Sequence, residues 1–309
     1  MPDVIADLTL VPASAIADRV SMTSAIAAIA QVLRGGFDPE EDLPRAVLDV
    51  PNGQLLLMPA AAGGAAGQKF ATVAPGNPSR GLERIQALYM LLDGETLAPT
   101  AILDGTALTA LRTPAVSAAG LDLLAEPDAG DLVVFGTGPQ AVRHVEAIAA
   151  IRPLRTVRLI GRDERRCAAA VDAARAFAPQ AVVTAGSVSD VAAADLIVCA
   201  TTATDPLFAS GSVRDDAVVV AIGSHESDKS ELDPALLGRS QVVVESRRVA
   251  RTEAGDVMRA VAAGELREQD VVSMHELFTG LVPADRTRPR VFKTCGMGWQ
   301  DLIIARLAV

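Results

Sequence analysis

The segment Val133-Val134-Phe135-Gly136-Thr137-Gly138-Pro139-Gln140-Ala141 has the makings of an anion-binding turn. It reads G-x-G-x-x-A, directly after an apolar run and at the opening of a helical pattern. Gly136 permits a tight strand-to-helix turn, and Gly138 lets a pyrophosphate approach the backbone. Ala141 stands in for a third glycine and still allows close helix–strand packing. A helix N-terminus at this point offers unpaired N–H groups and a positive dipole end to phosphate. Gly136, Thr137, Gly138, Gln140 and Ala141 are therefore candidate dinucleotide contacts. The end of the next strand, Val157-Arg-Leu-Ile160-Gly161-Arg162-Asp163, decides which dinucleotide. An acid there would bind the ribose diol of NAD, whereas arginine accommodates the 2′-phosphate of NADP. Gly161 takes the acid's place and Arg162 follows, with Arg165 and Arg166 behind. NADP(H) is favoured over NAD(H). Asp163 either joins the cofactor site or caps the next helix.

These residues need a scaffold, and the pattern from Asp131 onward supplies one. Short apolar runs at 132–135, 157–160, 181–184, 196–200, 217–222 and 242–245 include several separated by helical segments rich in Ala, Arg and Asp. That spacing predicts a parallel sheet covered on both faces. The part before it looks different. Residues 13–33 read as one Ala-rich amphipathic helix ended by Gly35-Gly36. Strand-like runs follow at 46–50 and 54–58 around Asn52-Gly53, at 69–73, and at 85–92 and 97–103 around Asp93-Gly94. This predicts an antiparallel or mixed sheet with helices. Thr113-Pro114 predicts a helix start, with Thr as cap and Pro in the first turn, running to about Ala125. The tail, 291–309, offers a short strand and a final apolar helix.

The 309 residues carry 28 basic and 38 acidic groups, a formal net charge of −10, without a Lys/Arg run. That excludes the basic footprint a nucleic-acid partner needs. No uninterrupted run of about 18 apolar residues exists to span a bilayer, so no membrane partner is expected. The opening MPDVIADLTL lacks a basic segment before an apolar one and does not read as a signal peptide. Cys167, Cys199 and Cys295 have neither disulfide nor zinc spacing, which fits a reducing, cytoplasmic setting without a metal. Only three of the basic residues are lysines: Lys69, Lys229 and Lys293.

Beyond the glycine turn, five segments in collinear order resemble the ornithine cyclodeaminase/mu-crystallin family. They are KFATVAPGNPSRGL (69–82), LDGTALTALRTPAVSA (103–118), GTGPQA (136–141), VESRRVARTEAGDV (ending at Val257) and VFKTCGMGWQDL (291–302). The resemblance implies an α/β fold, a Rossmann-type doubly wound parallel sheet inserted into a smaller α+β substrate-binding and dimerisation domain. On that pattern residues 1–113 and 290–309 form the smaller domain and 114–289 the dinucleotide-binding one. A homodimer is implied as well. Arg45, Lys69 and Arg112 would surround the carboxylate of a small amino-acid-like or imino-acid substrate, where a desolvated carboxylate needs charge-assisted donors. Thr113 would face the cofactor phosphates from the predicted helix start. Thr201, Gly223 and Ser224 follow strand ends, where open α/β sheets bind ligands. Lys293, in a strand returning to the first domain, is either a cofactor or substrate neighbour or a surface charge.

The loop Gly223-Ser-His225-Glu-Ser-Asp228-Lys-Ser-Glu231 departs from the family's cyclodeaminases. They carry an Asp shortly after the glycine to meet the substrate amine. In register with Lys229 and Glu231, that place is taken here by His225. A histidine cannot hold a diamine's ammonium as a permanent anion does, but it can exchange a proton near neutral pH. It is either catalytic or a passive loop residue. The resemblance thus favours an NAD(P)H-dependent oxidoreductase acting on a cyclic ketimine or imino-acid carboxylate, with Lys69 or His225 supplying the proton. Ornithine cyclodeaminase with bound NAD, and a non-catalytic NADPH-dependent binding protein, are the alternatives.

Overall fold

The structure is a computed structural model that describes residues 4–309. The first three residues of the acidic opening stretch lie outside the described residues. In chain order come β1 (Thr9–Val11), α1 (Ala13–Arg19), α2 (Met22–Arg34), β2 (Ala46–Val50), β3 (Gly53–Ala62), β4 (Ala65–Val73), β5 (Ile85–Asp93), β6 (Pro99–Asp104) and α3 (Gly105–Leu124). There follow β7 (Asp131–Phe135), α4 (Pro139–Ala149), β8 (Thr156–Ile160), α5 (Glu164–Arg175), β9 (Val182–Ala185), β10 (Leu196–Cys199) and β11 (Val218–Ala221). The chain ends with α6 (Pro234–Arg239), β12 (Gln241–Val244), α7 (Arg247–Glu253), α8 (Gly255–Ala262), β13 (Val272–Ser273), α9 (Met274–Phe278), β14 (Arg290–Lys293) and α10 (Gly298–Ala308). Two compact units result: Met1–Ile29, Glu41–Thr113 and Gly296–Val309 form the first, Ala30–Glu40 and Pro114–Cys295 the second. Among the described residues no single helix is long and apolar enough to cross a membrane.

The first unit is built on a sheet of order β1-β6-β5-β4-β3-β2, antiparallel except where β1 meets β6. Strand alternation sends Gly67, Lys69 and Ala71 to the buried face of β4 and leaves Phe70 exposed. A lysine on the core side of a strand is unusual, because an ammonium rarely leaves water without a partner. Helix α10 packs on the unit's sheet so closely that a Cβ on Gly298 would stand 2.4 Å from the Pro59 carbonyl oxygen. Trp299 on that helix is fully buried.

The second unit carries a parallel sheet of order β13-β12-β14-β11-β10-β7-β8-β9. Strands proceed from β7 outward through β8 and β9, and the chain then returns to the other side of β7 with β10 and β11. This is the doubly wound Rossmann arrangement, and its switch point lies between β7 and β10. Strands β10, β11 and β12 are buried along their whole length, as a sheet covered on both faces requires.

Three local expectations give way to the structure. The helix predicted over 13–33 breaks into α1 and α2, because Val20 adopts an extended conformation. Ser21 restarts the chain, its Oγ accepting from the Ser24 N–H at 3.1 Å. The helix predicted to begin at Thr113-Pro114 begins instead at Gly105, where Asp104 accepts from the Ala107 N–H at 2.9 Å and acts as the cap. Pro114 thus lies inside α3, and Thr113 is an interior helix residue without the free N–H groups of a helix start. The strand at 290–293, expected in the smaller domain, lies in the middle of the parallel sheet, between β11 and β12. Gly120 of α3 allows this packing, since a Cβ there would meet the Phe292 ring of β14 at 2.4 Å.

His144 locks α4 to α3. Its Nδ1–H donates to the Gln140 carbonyl at 2.7 Å, which leaves Nε2 to accept from Ser117 Oγ at 2.9 Å. Burial pulls its pKa down from 6.5 to about 4. The fold requires the neutral ring, so unfolding takes up a proton below about pH 6.5. The contribution is intact above that pH and is lost progressively towards pH 4, by roughly 3 kcal/mol in all. A His144→Gln variant lacks this uptake, so its urea midpoint will fall less between pH 7 and 5 than the wild-type midpoint does. Equal pH slopes would show that His144 is not the group responsible.

Candidate active site

Lys69 extends its ammonium from β4 towards the start of α10. Its Nζ donates to Asp301 Oδ2 at 2.8 Å and to Thr109 Oγ1 at 3.3 Å. Arg112, one turn after Thr109 on α3, donates from Nη1 to Gln300 Oε1 at 2.9 Å and places Nε 3.6 Å from Asp301 Oδ1. Asp301 is therefore the shared anion of two cations, and it is fully buried. It sits in the first turn of α10, where the helix dipole favours a carboxylate. Gly296, with φ +83°, makes room for Arg112, because a Cβ there would fall 2.4 Å from Nη1.

Asp301, Arg112 and Arg45 all act on the Lys69 ammonium, and Asp42 joins Asp301 in acting on Tyr89. Burial lowers the Lys69 pKa from 10.5 to about 8; Asp301 pulls it back up, while Arg112 and Arg45 push it down further. One strand over, Tyr89 pairs with Lys69 in the β4–β5 register. Its hydroxyl is buried without a hydrogen-bond partner, over Gly67, where a Cβ would stand 2.2 Å from the oxygen. Burial and the carboxylates of Asp301 and Asp42 push the phenol's pKa up, which keeps it a neutral donor. Arg45, Lys69 and Arg112, far apart in sequence, thus act in one electrostatic cluster. Asp301 and Tyr89 join it, although neither announces itself in the sequence; an acid at the head of an otherwise apolar helix is the one available sign.

The glycine turn lies in the second unit. Gly136 has φ +125°, and a Cβ there would stand 2.4 Å from the Ala200 oxygen. Gly138 is the N-cap of α4 without a side-chain cap, and a Cβ on it would meet nothing within 4 Å. The first-turn N–H groups of α4 are thus approachable, as pyrophosphate binding requires. Ala141 is fully buried against the sheet. At Gly161 a Cβ would collide with Thr137 Cγ2 at 2.3 Å, so the side chain of Thr137 fills the place an acid would need. Arg162 is exposed, and Asp163 caps α5 by accepting from the Arg166 N–H at 2.9 Å.

At the ends of β10 and β11, Thr201 and Gly223 converge on one carboxylate, that of Glu231. Thr201 donates to its Oε1 from both N (2.8 Å) and Oγ1 (2.7 Å), and Gly223 N donates to its Oε2 at 2.7 Å. Ser224 is fully buried and closes its own loop by donating from Oγ to the Lys229 carbonyl at 2.7 Å. His225 is exposed on that loop. Lys293 is not a surface charge: it is buried in β14, with Nζ 3.2 Å from Asp256 Oδ2 and 3.4 Å from the Ala221 oxygen.

The sequence matches the ornithine cyclodeaminase/mu-crystallin family over residues 11–309. The chain belongs to this family. It is 35% identical over 257 residues to the Delta(1)-pyrroline-2-carboxylate/Delta(1)-piperideine-2-carboxylate reductase of Azospirillum brasilense, covering 83% of this chain and 80% of that protein. It is 34% identical over 257 residues to Delta(1)-pyrroline-2-carboxylate reductase 2 of Burkholderia ambifaria, with the same coverage. Its fold matches that of Thermococcus litoralis Delta(1)-pyrroline-2-carboxylate reductase, solved in complex with NADH and L-proline. The TM-score is 0.91 at 24% identity, over 97% of this chain and 96% of that one.

Asp301 carries the burden of two buried cations. Replacing it by Asn keeps the shape but leaves Lys69 and Arg112 without their anion. Asp301→Asn is expected to lower stability by about 3 kcal/mol in urea denaturation at pH 7. A change within 0.5 kcal/mol, the usual range for surface substitutions, would show that the pairing contributes little.

Proposed function

We propose that this protein is an NAD(P)H-dependent reductase of a cyclic ketimine or imino-acid carboxylate. The observation that carries the reading is the buried pair of cations, Lys69 and Arg112, that share the carboxylate of Asp301, with half-buried Arg45 acting on the same ammonium. A substrate carboxylate would add a second anion to these cations, and a planar guanidinium fork suits it. The reductases of pyrroline-2-carboxylate and piperideine-2-carboxylate among the relatives support the same choice. So does His225, which stands where a diamine cyclase needs a fixed negative charge.

The glycine turn and the open N-terminus of α4 fit a dinucleotide, with Gly136, Thr137, Gly138, Gln140 and Ala141 around its pyrophosphate. When bound, the reduced nicotinamide supplies a hydride to the imine carbon. Arg112 and Arg45 hold the substrate carboxylate, and the Lys69 ammonium delivers a proton to the imine nitrogen. With a pKa near 8, Lys69 is protonated at neutral pH yet close enough to donate effectively. Loss of its proton is helped by Arg112 and Arg45, whose charges disfavour the ammonium. Asp301 holds Lys69 in place. We favour Lys69 over the exposed His225 as donor because it is shielded from water. The collision at Gly161 and the exposed guanidinium of Arg162 support NADP(H) over NAD(H). The reading includes a homodimer, supported by edge strand β2, which exposes Val47, Leu48 and Val50.

Purified protein should oxidise NADPH stoichiometrically with pyrroline-2-carboxylate or piperideine-2-carboxylate. Ammonia release from ornithine without net nicotinamide change would overturn this in favour of cyclodeamination, and NADPH binding without turnover would leave a binding protein. In the active enzyme kcat/KM should decline as pH rises through about 8, where Lys69 loses its proton. Lys69→Ala should lower kcat/KM by roughly 100-fold or more, in the range of general acid catalysis. Lys69→Arg should lack the limb near pH 8; an unchanged profile would sink the proton assignment. Separately, Arg162→Ala should reduce the NADPH-to-NADH ratio of kcat/KM by about tenfold, the worth of one charged phosphate contact.

A further inference from the structure

Glu231, Asp256 and Lys293 are fully buried charged groups of the second unit that take no part in the chemistry above. They form one network. Asp256 Oδ1 accepts from the Glu231 N–H at 2.7 Å, the Leu232 N–H at 2.9 Å and Ser230 Oγ at 2.9 Å. Its Oδ2 faces the Lys293 ammonium. Glu231, fixed in this way at its backbone, turns its carboxylate to the ends of β10 and β11. All three hydrogen bonds that it receives there come from Thr201 and Gly223. The two turns also touch directly, for a Cβ on Gly223 would lie 2.0 Å from the Thr201 oxygen. Burying a carboxylate is costly, and backbone bonds alone could close such turns. What a carboxylate adds is two acceptor oxygens at a fixed separation, which set one turn against the other.

The place of these turns gives the arrangement its meaning. In a doubly wound sheet a dinucleotide lies across the switch point, one mononucleotide on each side. The glycine turn after β7 and Arg162 after β8 belong to the adenosine side. The ends of β10 and β11 are on the other side. We propose that Glu231 is a positioning residue for the nicotinamide half of the dinucleotide, acting through Thr201 and Gly223. The proposal rests on the dinucleotide reading of this unit but not on the identity of the imino-acid substrate.

The test is equilibrium binding, read by NADPH fluorescence and by calorimetry with 2′,5′-ADP, a fragment that lacks the nicotinamide half. Glu231→Gln preserves shape and one acceptor oxygen but presents an NH2 group to a donor. It should weaken NADPH by about tenfold, as expected when a buried donor loses its partner, and leave 2′,5′-ADP within twofold. Equal weakening of both probes would mean a general structural role, and no weakening would mean no role; either overturns the proposal. Thr201→Val provides an independent measure. If Thr201 acts through the carboxylate, the double variant binds NADPH no worse than Glu231→Gln alone, whereas additive losses overturn the proposal. Should Glu231→Gln not fold, Thr201→Ser must keep the affinity that Thr201→Val loses, or the proposal fails. Wild-type protein that binds NADH but neither probe would move the same test to NADH and 5′-AMP. Protein that binds neither NADPH nor NADH would sink the dinucleotide reading itself, and this proposal with it.

Discussion

The first unit depends on an ion pair between Lys69 and Asp301, which are brought together from a central strand and the last helix. Two charges out of water are stable only as partners, and removing either leaves the other stranded. The pair therefore fixes α10 against β4, and it draws Arg112 of α3 to the same carboxylate. Several glycines exist because of this approach. Gly67 yields to the Tyr89 hydroxyl, Gly296 to the Arg112 guanidinium, and Gly298 to the Pro59 carbonyl. The pairing is also incomplete. Asp301 raises the Lys69 pKa, yet burial and the neighbouring arginines outweigh it. The Lys69 ammonium is therefore readier to give up its proton than an exposed lysine would be.

The second unit is built differently. On the proposed reading a pyrophosphate would be received by backbone N–H groups at the head of α4, where Gly138 leaves the backbone open. No buried cation is required there. Lys293, buried at the end of β14, faces inward to Asp256. On the proposed reading the difference follows from the groups to be bound: a carboxylate taken fully from water needs formal charge, and a phosphate approached from solvent can be met by dipoles.

What could be read from the sequence follows the range of the interactions. The glycine turn is local, since its chemistry is set within a few residues, and the strand periodicity around it predicts the parallel sheet. The start of α3 was not legible from Thr113-Pro114, because proline suits both the first turn and, with tertiary support, an interior position. Asp104 was the stronger cap, and only the structure ranks the two. The insertion of β14 between β11 and β12 depends on a sheet order that no local pattern encodes. Asp301 and Glu231 were illegible for a related reason. Each is an unremarkable acid until the chain brings distant donors to it, Lys69 in one case and Thr201 in the other. Arg45, Lys69 and Arg112 came from family resemblance; residue type alone does not separate them from the other basic residues.

The scarcity of lysine has a physical reading once burial is known. The chain uses arginine for all but three of its 28 basic residues. Lys229 shows that rarity is not itself a sign of a role, for it makes a partly exposed pair with Glu226. The other two are buried where arginine would fail for different reasons. Lys293 fits a compact point charge between Asp256 and the Ala221 carbonyl, a place that does not call for a planar, two-pronged fork. Lys69 is the stronger case. An arginine beside Asp301 could bind a carboxylate equally well, but it would not release its proton at any working pH. Lysine, desolvated and crowded by two arginines, can. On the proposed mechanism, the substitution that a bias toward arginine would most readily make is thus the one that would preserve binding and remove the proton.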